Sequence, residues 1–303
     1  MKKSEHSIKV RGAQDLVELW RTLPVSILRY PASTLAPAHG TAVLSDILRA
    51  RAWREHCAAA TTVSCVESGN SCAMVDRNCC RADVLFPAQI GGGAQKWRMA
   101  TMFLQWRPSV QELHLISVGE TACEELDWAA RCLREHHGLD AVLSTDVTHY
   151  GDLEFRGTKH WRLVFVTPWL VFKSKRTITS LESKPDAIAI AHEIGKSLRE
   201  RAKKFTALCS REATWQKLTC HLAHHVTNAL LPTAFSIDQV RIEPQRLKLS
   251  SRGNGGMFNA LVWNGDVTLS VDETLLPWLS ILSICGGGEN ADKGFGSVEL
   301  IPQ

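Results

Sequence analysis

Residues 275–301 read LLPWLSILSICGGGENADKGFGSVELI, an apolar run followed by two groups of glycines and a short alternating segment. The apolar run predicts a buried helix from Glu273 to Ile284, because it carries almost no polar side chains and is too long for an ordinary strand. The glycines from Gly286 to Gly296 predict a loop, since glycine favours turns over regular structure. Ser297 to Ile301 then predict a final strand, so this stretch is one helix–loop–strand unit.

Further elements are predicted upstream of this unit. Those of the second half are a strand at His160–Phe172, helices at Pro185–Ser210 and Glu212–Leu231, and strands at Ser236–Leu249 and Phe258–Val271. The two helical segments together occupy one helical position. The resulting order is strand, helix, strand, strand, helix, strand, which is the split βαβ plan of ferredoxin-like domains.

The first half repeats this order of elements. The predicted elements are a strand at Val25–Tyr30, a helix at Gly40–Cys57, strands ending near Trp106 and Val118, a helix at Thr121–His137 closed by Gly138, and a strand at Leu139–Val147. We therefore predict an α+β fold of two tandem ferredoxin-like (RRM-like, βαββαβ) domains, residues 1–150 and 151–303. A Cys-rich insertion, residues 57–95, interrupts the first domain, because this segment lacks a sustained period.

Composition narrows the class of protein. Hydrophobic residues make up 45% and charged residues 22% of the 303, which predicts a globular core rather than disorder. No apolar run approaches the roughly 20 residues that span a bilayer, so no membrane partner is expected. The segment Met1–Val10 is charged and unlike a signal peptide, which predicts a cytoplasmic protein with reduced thiols. Lys and Arg exceed Asp and Glu by 35 to 31, a balance that permits nucleic acid as a partner.

Several segments resemble one family. They are Leu275–Leu279 followed by Gly286–Gly288 and Lys293–Gly296, Glu243–Arg246 with Ser250–Arg252, Thr167-Pro168, Leu35–Gly40, and Val84–Pro87. Together they resemble the CRISPR-associated endoribonucleases of the RAMP superfamily that process precursor CRISPR RNA (the Cas6 family). The resemblance implies a prokaryotic protein that binds CRISPR repeat RNA and crRNA, with other CRISPR effector subunits as further partners. It also implies cleavage by 2′-hydroxyl attack, leaving a 2′,3′-cyclic phosphate and requiring no cofactor.

Cleavage of RNA without a metal needs a base, an acid and cations that stabilise the phosphorane-like charge. Histidine suits both proton transfers near neutral pH. We select His39 because it lies where the first loop meets the first helix, the place at which the resembling family often carries its catalytic residue. Tyr30 and Arg29 end the preceding strand, and we expect both to lie close to His39. Competing histidines are His149, His160 and the pair His224–His225.

Three groups of residues are predicted to bind RNA. They are Arg246, Lys248 and Arg252 in a projecting hairpin, Gly287, Gly288, Gly294 and Lys293 in the glycine-rich loop, and Arg49 in the first helix. Backbone amides of closely spaced glycines make a concave anion site, although the same glycines are also explained by a tight crossover. We expect the two sheets to lie side by side with a cation-lined cleft between them, and a continuous core would contradict that expectation.

Five cysteines crowd into one segment: Cys57, Cys65, Cys72, Cys79 and Cys80. The first four, with Cys80 as a substitute, supply enough thiolates for one tetrahedral structural zinc, and His56 could replace one sulfur. The paired C-x2-C spacing of strong zinc motifs is missing, so reduced free thiols or an iron–sulfur cluster remain alternatives.

Two other functions fit the same sequence. A non-catalytic RAMP subunit that holds crRNA within an effector complex has the same fold and basic surfaces. A zinc-stabilised protein-interaction module would use the cysteines and bind RNA only weakly.

Overall fold

The computed structural model describes ten segments of the chain. These are residues 12–31, 37–56, 81–87, 99–139, 145–150, 158–171, 184–209, 213–250, 257–288 and 295–303.

The first half contains four strands and five helices within these segments. They are α1 (Ala13–Arg21), β1 (Pro24–Pro31), α2 (Pro37–Glu55), α3 (Arg81–Leu85), β2 (Met102–Arg107), β3 (Glu112–Val118), α4 (Glu120–Glu124), α5 (Leu126–His137) and β4 (Thr145–His149). The strands form one antiparallel sheet in the order β2-β3-β1-β4. This order, with a helix after the first and third strands, confirms the ferredoxin-like plan.

The second half repeats the same sheet. Its elements are β5 (His160–Val171), α6 (Ala187–Leu208), α7 (Ala213–Ala234), β6 (Phe235–Ser250), β7 (Met257–Val271), a 3-10 turn (Glu273–Leu275), α8 (Leu276–Cys285) and β8 (Val298–Pro302). The order β6-β7-β5-β8 is again antiparallel throughout. The two helices α6 and α7 occupy the first helical position, as predicted.

Two boundaries in the first half differ from the prediction. The helix predicted at Thr121–His137 is two helices, because Glu125 leaves the helical conformation between α4 and α5. Gly138 ends α5 in the left-handed conformation, as predicted. The last strand begins at Thr145 rather than Leu139.

Helix α1 was not predicted. Its four buried side chains, Leu16, Val17, Leu19 and Trp20, recur at helical spacing and are a signal that the sequence did contain. Trp20 is fully buried, its indole N–H donates to Thr206 Oγ1 at 2.9 Å, and its ring lies 4.8 Å from the Trp278 ring. Helix α1 therefore fastens the first half to α6 and α8.

The core runs without a break from one half to the other among the described residues. Trp20 and Tyr150 of the first half pack against Trp278 and Phe205 of the second, and the Tyr150 hydroxyl donates to Pro277 O. The prediction of an open cleft between the sheets is therefore wrong along this seam. The physical reason is that the seam carries large apolar side chains, whose burial outweighs an open, hydrated gap.

The predicted insertion contains one described element. Helix α3 lies within residues 57–95, and its Leu85 and the following Phe86 are buried in the core. The cysteines of the insertion lie outside the described residues. Among the helices that the structure does describe, none has the length and apolar character needed to cross a bilayer.

Candidate nucleic-acid interface and active site

The hairpin formed by β6 and β7 extends further than the described part of the strand beside it. Strand β5 ends opposite Leu261, whereas β6 and β7 stay paired as far as Ser250 and Met257. The last four pairs, from Leu247 with Ala260 onward, therefore lie past the described end of β5. Within the described residues no strand pairs with this end of the hairpin, as the predicted projection requires.

Basic side chains lie on this projecting part. Arg246 and Lys248 are exposed, and their alternation along β6 directs both to one face of the hairpin. Arg246 pairs with Leu261 of β7. Trp263 lies two residues further along β7, on the same face, and pairs with Trp169 of β5. Arg252, predicted at the tip, lies outside the described residues.

The glycine-rich crossover, Gly286–Gly296, joins α8 to β8 and packs on that Trp169. A Cβ atom on Gly287 would lie 2.1 Å from the Trp169 ring, so only glycine fits there. The Gly287 amide donates to Gly296 O at 2.7 Å, and the Gly288 amide donates to Ser197 Oγ at 2.8 Å.

Both amides are thus engaged within the chain. This geometry favours the alternative that Gly287 and Gly288 allow a tight crossover, and it directs neither amide toward an external anion. Lys293 and Gly294 lie outside the described residues, and RNA binding by them stays a prediction.

The two residues that end β1 point in opposite directions. Tyr30 faces α5, where Arg134 lies close enough to act on its pKa, and its side chain is 1% exposed. Arg29 faces the other side of the sheet, level with His114 of β3. Successive residues of a strand alternate between faces, so the side chains of Arg29 and Tyr30 leave β1 on opposite sides of the sheet, and their approach to His39 stays a prediction.

The hydroxyl of Tyr30 has unusual surroundings. It is buried and has no hydrogen-bond partner among the described residues, and burial raises the pKa of Tyr30 to about 12. Thr41, the fifth residue of α2, is 2% exposed, and its hydroxyl likewise has no partner within the part of the chain that the structure describes. An unsatisfied buried hydroxyl costs about 1–3 kcal/mol, so such groups are commonly completed by a ligand or by water.

These two hydroxyls flank the chain segment that contains His39. His39 lies in the first turn of α2, and its side chain is outside the described part of the structure. The positive end of the helix dipole lies at the start of α2, where it favours a negatively charged group such as a phosphate. Thr41 was missed from the sequence, because nothing in its sequence neighbours distinguishes it from other helical threonines.

Comparison with known proteins gave matches among solved structures alone. No family model and no curated protein matches the chain. The chain is similar to Cas6 proteins. Cas6 of Thermus thermophilus has 15% identity and a TM-score of 0.47, covering 92% of this chain and 98% of that one. The CRISPR RNA processing endoribonuclease Cas6b has 10% identity and a TM-score of 0.40, with coverages of 92% and 100%. A Cas6-related protein from Pyrococcus furiosus has 12% identity and a TM-score of 0.37, with coverages of 92% and 98%.

A second polar cluster was not predicted. His114 of β3 lies opposite both Arg29 and Gln105, and its Nε2 is 2.8 Å from Glu112 Oε2. Burial lowers the pKa of His114, the carboxylate of Glu112 opposes that shift, and Arg107 adds to it. A neutral imidazole held by a carboxylate is a suitable proton acceptor. The strand alternation around His114 was visible in the sequence, but the pairing with β1 was not.

The competing histidines differ in their settings. His149 lies in β4, opposite Pro24. The His160 side chain is 61% exposed and lies 3.1 Å from Ser270 Oγ. In the pair His224–His225 of α7, His225 is exposed and His224 is half-buried. In the strand pairing that the structure describes, none of these histidines lies opposite Arg29 or Tyr30.

Arg49 and His56 are engaged locally. The Arg49 guanidinium lies 5.9 Å from the centre of the Phe86 ring, a cation–π contact in the first half. His56 packs edge-on against Trp128 and lies 3.5 Å from Glu125. The candidate zinc ligands Cys57, Cys65, Cys72, Cys79 and Cys80 lie outside the described residues, so a structural zinc stays a prediction.

Proposed function

We propose that this protein is a metal-independent endoribonuclease of the prokaryotic cytoplasm that binds CRISPR repeat RNA and cuts it to give mature crRNA. The observation that carries the proposal is the projecting β6–β7 hairpin, whose exposed Arg246 and Lys248 lie on the face shared with the glycine-rich crossover. The family resemblance of the hairpin and crossover sequences supports the same function. Other CRISPR effector subunits are the expected partners of the product-bound protein.

The hairpin suits a polynucleotide for electrostatic reasons. A two-stranded ribbon that extends past its sheet presents its charges with little steric hindrance, and each cation that neutralises a phosphate releases a counterion. Single-stranded and looped RNA is bound by such basic surfaces together with nearby aromatic groups. Large apolar side chains fill the seam between the described parts of the two sheets. We therefore place the proposed RNA path along the hairpin and the crossover.

Cleavage is assigned to the start of α2. His39 is proposed as the group that transfers the proton of the attacking 2′-hydroxyl. Tyr30, with its pKa raised to about 12, stays protonated near neutral pH and keeps its hydroxyl proton to donate in a hydrogen bond there. Thr41 supplies a second donor, and Arg134 replaces Arg29 as the cation on this face of the sheet.

Cleavage of a labelled repeat RNA in the presence of EDTA tests the proposal. We expect a single cut whose upstream product carries a 2′,3′-cyclic phosphate. Tight, salt-sensitive binding without a cut would favour the non-catalytic RAMP subunit that holds crRNA. Weak binding that does not respond to salt would instead favour the zinc-stabilised protein-interaction module.

The hairpin makes a separate prediction. Replacing Arg246 and Lys248 together by alanine should weaken RNA binding, because fewer phosphates are then neutralised. The slope of log affinity against log salt should fall by about 0.7 for each such phosphate on single-stranded RNA. Titration of fluorescent repeat RNA at several salt concentrations measures both quantities.

The control is Arg21→Ala with Lys196→Ala, which removes two charges from helices α1 and α6. Equal effects of the two double variants would show that net charge, not the hairpin, determines binding.

A further inference from the structure

Strand β2 of the first half bonds to both ends of the glycine-rich crossover. Arg107 donates through Nη2 to Ser283 O at 2.5 Å, before the crossover, and through Nη1 to Val298 O at 2.6 Å, after it. Ser297 Oγ donates to Gln105 Oε1, and Ser109 Oγ donates to a carboxylate oxygen of Glu299. Alternate residues of β2 and the turn after it therefore reach the two stems of a loop in the other half.

The second half holds the crossover from its other sides. Helix α6 forms hydrogen bonds with both backbone groups of Gly288. Ser197 Oγ accepts from the Gly288 amide, and Arg201 donates to the Gly288 carbonyl at 3.1 Å. The stems bond to each other through Gly287 and Gly296, and the Gly296 amide donates to Pro168 O at 3.0 Å. Residues of β5 and α6 therefore fix the two stems, Gly287–Gly288 and Gly296–Ser297, from the side opposite β2.

Placing the charged side chain of Arg107 at this position costs free energy, because the guanidinium loses part of its hydration. Arg107 is partly buried, and this burial lowers the pKa of its guanidinium to about 10, although Glu299 opposes that shift. A buried cation is retained where it satisfies several acceptors at once, because burying it unpaired is very costly. Its planar fork reaches two carbonyls on different segments, which the single ammonium of lysine cannot do in the same geometry. Ser283 lies in the last turn of α8, where a cation also meets the negative end of the helix dipole.

We propose that Arg107 and Gln105 are positioning residues for the stems of the glycine-rich crossover, so that the first half of the chain sets the placement of the described residues on either side of Lys293. The consequence for RNA binding rests on the proposed function. The consequence for the crossover itself does not, because it follows from the hydrogen bonds alone.

Amide hydrogen exchange in the full-length protein tests the first consequence without RNA. In Arg107→Met, we expect the amides of Gly287, Gly288 and Ser297 to exchange at least tenfold faster, while paired amides of the β6–β7 hairpin keep their rates. Arg51→Met, which removes two ion pairs of the first-half helices, is the control and should leave the exchange rates of the crossover amides unchanged. Gln105→Ala is the milder variant, for use if Arg107→Met does not fold, and should affect Ser297 most. Unchanged exchange in the folded variants would overturn the proposal, as would an equal acceleration of hairpin and crossover amides.

Affinity for repeat RNA tests the second consequence. We expect Arg107→Met and Gln105→Ala to raise the Kd several-fold, with Arg107→Lys intermediate and the single-turnover cleavage rate of bound RNA changed less than the Kd. Faster exchange at the crossover with an unchanged Kd would overturn the link to RNA while leaving the positioning role intact. If the wild-type protein neither binds nor cuts the RNA, the proposed function fails, and the exchange result still decides the role of Arg107.

Discussion

Replacing His39 by alanine is expected to slow the cleavage of repeat RNA at least tenfold and to leave the affinity for that RNA largely unchanged. General acid–base groups contribute about 10²–10⁴-fold to rates, so even partial rescue by water leaves a clear loss. The expected site is the first turn of α2, flanked by the buried hydroxyls of Tyr30 and Thr41. Single-turnover cleavage in EDTA gives the rate, and binding under the same conditions gives the affinity.

His160→Ala is the matched control for this prediction. The side chain of His160 is 61% exposed and bonds to Ser270 on the second sheet, so removing it should leave the cleavage rate unchanged. Undiminished cleavage by the His39 variant would move the active site elsewhere. His114→Ala would then be the next variant, because His114 is held by Glu112 beside Arg29 on the opposite face of the first sheet.

Replacing Gly296 by alanine is expected to lower the free energy of unfolding by more than about 3 kcal/mol, combining a left-handed backbone with severe overpacking. Gly296 has φ +60°, and a Cβ atom there would lie 1.8 Å from Gly287 O. The backbone cannot move aside cheaply, because the same two residues share a hydrogen bond. Urea unfolding followed by tryptophan fluorescence measures the loss.

Gly138→Ala separates the two causes. Gly138 has φ +61°, nearly the same conformation, yet a Cβ atom there meets nothing within 4 Å. Its replacement should therefore cost only about 1–2 kcal/mol, the penalty of the left-handed conformation itself. Similar losses in the two variants would show that the crossover tolerates a side chain at Gly296, contrary to its tight packing against Gly287.

The fold was largely predictable because both sheets follow local patterns. Apolar alternation located most strands, glycine at position 138 located a helix end, and the long paired segments on either side of residues 251–256 indicated a hairpin. Errors arose where local signals were weak. The spacing of Val43, Leu44, Ile47 and Leu48 predicts one buried stripe on α2, yet Val43 is 54% exposed, because nonlocal packing decides which face of a helix is covered.

The candidate site was less predictable than the fold. Arg29 and Tyr30 are neighbours in the chain and were grouped on that basis, but strand geometry sends them to opposite faces. Gly287 and Gly288 were expected to bind an anion, and the structure shows their amides bonded to Gly296 and Ser197 instead. The partner of a backbone amide is set by distant parts of the chain, which no motif specifies.

The sequence by itself determined the order of strands and helices, the repeat of that order in both halves and the basic character of the projecting hairpin. These features depend on spacing and composition within about 20 residues, where hydrophobic periodicity and turn residues act. Only the tertiary structure decided that the seam between the halves is a filled core and that Arg107 spans the crossover stems. Both result from burial of surfaces far apart in the chain, since covering large apolar faces and satisfying buried polar groups are properties of the whole fold.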